Sequence, residues 1–252
     1  MDSNRRHAKL RAQHTPSAIT TRLSAHKSHS YVGDAVLGAI DGCVTTFAIV
    51  SGVVGAHLTP GIALVLGLAN LCADGLSMAV SNYQKAASEA QRLAQARRIE
   101  ARHIEDIPEG EREEIRQIFT QKGFRGAMLE DIVAVITQDR QRWIETMLTE
   151  EYGLPLTGPV PLTAALVTFT GFFLAGCIPL IPFVLPLALP APTLFMVSAC
   201  ATGVTFMFIG VLKGHALERP RLRSGLETLL VGGSAAVLAY LVGVWLKKLT
   251  GT

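Results

Sequence analysis

The residues best placed to do chemistry in this chain are acids set where acids are costly. Asp41 lies in DAVLGAIDGCVTTFAIVSGVVGA and Asp74 in IALVLGLANLCADGLSMAVSNY, both otherwise apolar runs. An aspartate at the centre of a membrane-spanning helix costs about 2.5–3.5 kcal/mol on insertion scales, so its presence points to function. Asn70, Asp74 and Met78 recur at i, i+4 and i+8 and share a helix face carrying an amide, a carboxylate and a thioether. Asp34 stands one heptad before Asp41 on the same side, as an entrance carboxylate or an interfacial residue. Mg²⁺ and Ca²⁺ prefer oxygen alone, whereas a thioether beside a carboxylate suits Fe²⁺ and other late divalent metals. A desolvated aspartate has a raised proton affinity, and metal binding needs it deprotonated, so metal and proton compete for one site. Cys43 and Cys72 lie two residues from the acids, which turns them off that face.

A second constellation lies in the polar stretch 84–157. Glu100 and His103 form an E-x-x-H pair, Glu111 and Glu114 repeat the i, i+3 spacing, and Met147 and Glu151 share a face at i, i+4. Helical bundles hold divalent iron or manganese with E-x-x-H pairs and further glutamates. One such pair is weak evidence, because glutamates on polar helices are usually solvated. Several pairs within one short segment favour metal.

The elements that must position these residues are helices, nearly all apolar. The 252 residues are 49% hydrophobic, with a mean hydropathy of +0.35. No charge occurs from Tyr152 to Leu212, enough for two spans of about 20 residues. Five spans are predicted, over about 34–57, 61–83, 160–180, 193–212 and 226–246, which makes an all-α integral membrane protein. The first two pair antiparallel, with Gly38, Gly42, Gly52 and Gly55 allowing another helix to come close. The stretch 84–157 holds 14 of the 20 acids and 11 of the 23 Lys and Arg, so it belongs in water. It reads as the polar continuation of the second span to Pro108, then helices over 109–122, 125–137 and 139–152, with Asp139 as an N-cap. This gives a small helical metal-binding domain inserted between spans two and three.

Residues 1–30 contain six Lys or Arg and four histidines (His7, His14, His26, His29) and read as a disordered basic tail with at most weak metal capture. They lack the pattern of a cleavable secretory signal. Lys and Arg in the tail, the 84–157 insert and the 213–223 loop put those segments in the cytoplasm, with Lys247 and Lys248 as a minor violation. The four cysteines all fall in spans and are expected as free thiols. A net charge of +3 carries no sign of a nucleic-acid partner.

At this point the sequence resembles the vacuolar iron transporter family over almost its whole length from Asp34. The resemblance rests on DAVLGAIDGCVTTFAIVSGVVGA, GLSMAVSNY, the glutamate-rich insert and FMFIGVLKG. It implies a homodimer in the lipid bilayer that moves Fe²⁺ out of the cytoplasm in exchange for protons. It implies Asp41 and Met78 as the pathway pair, and a lobe whose ligands match in register at Glu100, Glu111, Glu114, Met147 and Glu151. His103 departs from the family's glutamate, lowering the lobe's negative charge by one. Asn70 stands where plant-type members have an acid, a charge that Asp74 replaces one turn on. Alternatives are the same architecture carrying Mn²⁺, with Zn²⁺ or Co²⁺ as further ligands, and a membrane-anchored di-iron oxidase centred on Glu100 and His103. A bacterial cytoplasmic membrane is favoured by the wording of GLSMAVSNY, with an organelle membrane as the other location.

Overall fold

The structure is a computed structural model, and it describes residues 2–24, 29–185, 189–216 and 219–250. It is all-helical among the described residues. Residues 1–30 form one unit and 31–252 a second. In the first unit α1 spans Asp2–Gln13 and α2 Pro16–Ser24. Their physical reason is local, because Ala, Arg, Leu, Lys and Gln are good helix formers and Pro16 is tolerated in a helix's first turn. His26 lies outside the described residues.

In the second unit, α3 (Val32–Gly55) and α4 (Pro60–Asp106) are joined by a tight turn in which His57 adopts φ 56°. Beyond them come α5 (Pro108–Gln121), α6 (Gly126–Thr137) and α7 (Arg140–Glu150). Next is α8 (Pro161–Cys177), which tightens into a 3₁₀ turn (Ile178–Leu180) and runs into the short α9 (Ile181–Val184). Pro179 explains the tightening, since a proline ring supplies no N–H for an i→i−4 bond. α10 (Ala191–Ala216) and α11 (Arg221–Thr250) complete the chain's described helices. Five helical stretches are long and apolar enough to cross a membrane: Val32–Gly55, Pro60–Asp106, Pro161–Val184, Ala191–His215 and Arg221–Leu249. Both ends of the expected 213–223 loop differ from expectation, Lys213 lying within α10. Arg221 and Arg223 begin α11 instead of lying in a loop, and Arg223 Nε donates to Glu227 Oε1 at 3.1 Å, an i, i+4 pair along the helix.

Within the apolar bundle α3 is central, packing against α4, α8, α10 and α11. Its glycines make this possible. A Cβ on Gly38 would sit 2.2 Å from the Thr168 carbonyl oxygen, and one on Gly42 would sit 2.2 Å from that of Phe172. The seam therefore joins α3 to α8 within one chain. The bundle core contains Phe47, Val50, Leu71, Phe172 and Leu180, contributed by α3, α4, α8 and the 3₁₀ turn. Large apolar side chains on the outer faces, such as Leu76, Val80, Leu230 and Leu238, are exposed, as lipid contact requires.

The polar segment has apolar cores of its own. Ile115, Leu129, Val133, Ile136, Trp143 and Met147 form one; Leu93, Ala96, Ile144 and Leu148 form another against the distal half of α4. Helix α7 starts where an acid can cap it, with the Asp139 carboxylate accepting from the Arg142 N–H at 2.9 Å.

Candidate metal centre and the acids of the spans

The polar group is built where α4 ends and the chain turns back at Ile107 and Pro108 into α5. Glu100 and His103 come from the last two turns of α4, Glu111 from the first turns of α5. One ligand atom from each lies within 4.8 Å of the others. Glu100 and Glu111 are both about 1% exposed, a costly place for charge. His103 Nδ1 lies 3.1 Å from Glu111 Oε1, and the Tyr152 hydroxyl donates to Glu100 Oε1 at 2.9 Å. The remaining oxygens, Glu100 Oε2 and Glu111 Oε2, are buried and accept no hydrogen bond. A proton or a divalent cation could satisfy such carboxylates, and carboxylate with imidazole is a donor set that suits Fe²⁺, Mn²⁺, Co²⁺ or Zn²⁺.

Electrostatics agree with the geometry. Burial first, then the carboxylates of Glu100 and Glu114, push the Glu111 carboxyl up to about 7 against the opposing pull of His103. Glu151 is raised too, by burial and then by Glu100 and Glu114. Glu114 and Glu151 therefore lie within electrostatic reach of the group, although both are exposed. Met147 is fully buried in the apolar core beside Ile115, one turn from Glu151, whose N–H bonds the Met147 carbonyl at 2.9 Å. The structure thus draws Glu100, His103 and Glu111 together, with Glu114 and Glu151 in electrostatic reach and Met147 buried one turn from Glu151.

In the spans, α3 and α4 run antiparallel, so that Asp34 lies level with Asn82, Asp41 with Asp74, and Thr45 with Asn70. Asn82 Nδ2 donates to Asp34 Oδ1 at 3.0 Å. Asn70 Nδ2 donates to Thr45 Oγ1 at 3.3 Å, and Thr45 Oγ1 donates to the Asp41 carbonyl at 2.9 Å. Asp41 is half-buried and within electrostatic reach of Asp74. Met78 is half-buried against the bundle core. Asp74 corrects an expectation: it is not buried but exposed on the surface of the single chain. Asn70, Asp74, Ser77 and Ser81 form a small polar face on α4, separate from the apolar face of Leu76, Val80 and Tyr83.

Two residues that sequence reasoning passed over take part. Asn82 is buried and reaches Asp34, the Ala164 carbonyl (3.2 Å) and Thr168 Oγ1 (2.7 Å), tying α3, α4 and α8 together. Its signal was in the sequence: it continues the spacing of Asn70, Asp74 and Met78 by one more turn. Tyr152 gave no such signal, because an aromatic after a helix reads as core.

Fold and site together define a multi-pass helical membrane protein with acids in two of its spans and, at the polar end of one, a Glu–His–Glu group that could hold a metal ion. The sequence model of the VIT family matches residues 32–244. The chain is 32% identical to a vacuolar iron transporter of Toxoplasma gondii over 96% of its own length and 84% of that protein's. It is 30% identical to a vacuolar iron transporter of Plasmodium berghei, over 91% of this chain and 89% of that one. It is 31% identical to vacuolar iron transporter 1 of Arabidopsis thaliana, over 83% of each. The chain belongs to the vacuolar iron transporter (VIT) family. These relatives carry transporter names, in agreement with the reading of the chain as a transporter and not an enzyme.

Proposed function

We propose that this protein is a proton-coupled exchanger that moves Fe²⁺ out of the cytoplasm across a membrane, working as a homodimer. The observation that carries the reading is α4, one continuous helix of 47 residues. Its apolar half holds Asn70, Asp74 and Met78, and its polar end holds Glu100 and His103 of the ligand group. At 1.5 Å per residue the 26 positions from Asp74 to Glu100 span roughly 40 Å, from within a bilayer to well outside it.

The segment 84–157 is then a cytoplasmic lobe that concentrates Fe²⁺, with Glu114, Met147 and Glu151 completing the set around Glu100, His103 and Glu111. Released metal enters past Asp34 and is held by Asp41, Met78 and Asp74. Each carboxylate must lose a proton to take the cation, so inward protons drive outward metal through one site. The second copy accounts for the exposure of Asp74. A carboxylate turned to lipid is unfavourable, and pairing the Asn70–Asp74–Ser77–Ser81 face with its equal encloses two sets of acids in one path.

The N-terminal unit and the lobe lie in the cytoplasm in this reading, as the charge distribution favours. The relatives are named for the vacuole, which supports an organelle membrane; the bacterial cytoplasmic membrane has no such support. Mn²⁺ is a second cargo, because carboxylate and imidazole separate it poorly from Fe²⁺, and Zn²⁺ and Co²⁺ are further ligands of the lobe. The oxidase reading finds no second E-x-x-H set among the described residues. Metal uptake into proteoliposomes with and without a pH gradient tests the exchange: flux that ignores the gradient removes the proton coupling, and absent flux removes the transporter.

A further inference from the structure

We propose that Tyr152 is a positioning residue for the lobe's metal group, fixing Glu100 so that one carboxylate oxygen is committed to the phenol and the other is presented to the cation. The inference rests on the reading of the lobe as a metal site and adds to it a residue outside the ligand set.

Helix α7 closes with the Tyr152 N–H on the Met147 carbonyl at 3.3 Å, and the Leu154 N–H then reaches the Leu148 carbonyl at 2.8 Å. Gly153 makes this turn possible with φ +61°, a region that residues with a Cβ seldom enter. The half-buried ring of Tyr152 packs with Leu93, Ala96, Ile144 and Leu148, bridging α7 and α4. Its hydroxyl is thereby held 2.9 Å from Glu100 Oε1.

Glu100 belongs to α4, whereas Tyr152 follows α7, 52 positions later, so the bond is a tertiary clamp. A buried glutamate without it would keep its rotamer freedom and could turn both oxygens to one side. With it, Oε1 is satisfied while Oε2 stays buried and unpartnered, and a carboxylate oxygen of Glu100 lies within 4.8 Å of ligand atoms of His103 and Glu111. Partners of this kind, which orient a ligand without touching the metal, typically change affinity 10- to 100-fold when lost.

The test uses the full chain in detergent, titrated with Co²⁺, whose visible spectrum reports ligand geometry. Tyr152→Phe keeps the ring and its packing and deletes only the hydroxyl. It is expected to weaken Co²⁺ binding about tenfold or more and to alter the visible band, while remaining folded in chelator with a melting temperature lowered by the lost hydrogen bond. Leu154→Ala, in the same cluster, is expected to lower the melting temperature and leave Co²⁺ affinity and spectrum unchanged. Wild-type affinity and spectrum in Tyr152→Phe overturn the proposal, as does an equal loss of affinity in Leu154→Ala. Wild-type protein that binds no Co²⁺ overturns the metal reading of the lobe itself, a result distinct from either.

Discussion

His103 Nδ1 lies 3.1 Å from Glu111 Oε1, so an imidazole from the end of α4 meets a buried carboxylate from the start of α5. The pair closes one side of the ligand group, and it is where this chain departs from an all-carboxylate lobe. Imidazole favours Co²⁺ and Zn²⁺ over Mn²⁺, whereas added carboxylate favours the harder ion. His103→Glu is therefore expected to raise the affinity for Mn²⁺ relative to Co²⁺ severalfold. Competitive titration of the purified protein reads the ratio; an unchanged ratio takes His103 out of the ligand set.

The Glu111 carboxyl, pushed up to about 7, sets a pH dependence. The folded metal-free lobe holds this proton more tightly than the unfolded chain does. Its contribution to stability is therefore present at low pH and is lost as pH rises from the ordinary glutamate range through about 7. Cation binding has the opposite sign, since the metal needs the carboxylate. Lobe affinity is expected to fall up to about tenfold per pH unit below 7 and to level off above it. Co²⁺ titration from acidic to mildly alkaline pH checks this, and a flat profile contradicts it.

Gly42 and Gly38 set the distance between α3 and α8. An added Cβ at Gly42 would stand 2.2 Å from the Phe172 carbonyl oxygen, part of the backbone, which cannot swing aside. Gly42→Ala is expected to cost about 1–3 kcal/mol by overpacking. Gly33, whose Cβ would meet nothing within 4 Å, tolerates the same change. Melting curves of the two variants in detergent give the comparison.

Asn82 joins Asp34 on α3 to Ala164 and Thr168 on α8. Asn82→Ala removes these bonds and frees the Asp34 carboxylate, while Thr168 Oγ1 keeps its own bond to the Ala164 carbonyl at 2.9 Å, so the cost is about 0.5–1.5 kcal/mol. Metal flux is expected to fall while Co²⁺ binding by the lobe, which lies elsewhere along α4, stays as in wild type. Equal loss of both would assign Asn82 to general stability.

Much of this architecture is legible in the sequence because it rests on long-range composition. Five apolar runs mark five spans, and Pro108 and Asp139 mark helix ends by local backbone chemistry. Glu100 and His103 can be paired by spacing alone, since both sit on one helix. Glu111 joins them only because the chain turns back at Ile107, and spacing cannot give the angle of that turn. The exposure of Asp74 was hidden for a related reason: hydropathy places a residue in a span without saying which way it faces. Asn82 was overlooked beside the acids, and Tyr152 because its ring packs as any aromatic would while only its hydroxyl serves the site. The helices of the first 24 residues reflect intrinsic propensity, which a basic, polar composition masks.

The central claim is that metal crosses the bilayer past Asp41 in exchange for protons. Its most direct test is Fe²⁺ uptake into proteoliposomes with and without an imposed pH gradient, comparing wild type with Asp41→Ala. The account expects uptake that requires the gradient in wild type and is lost in the variant, while Co²⁺ binding by the lobe is retained. Unchanged uptake in Asp41→Ala would contradict it.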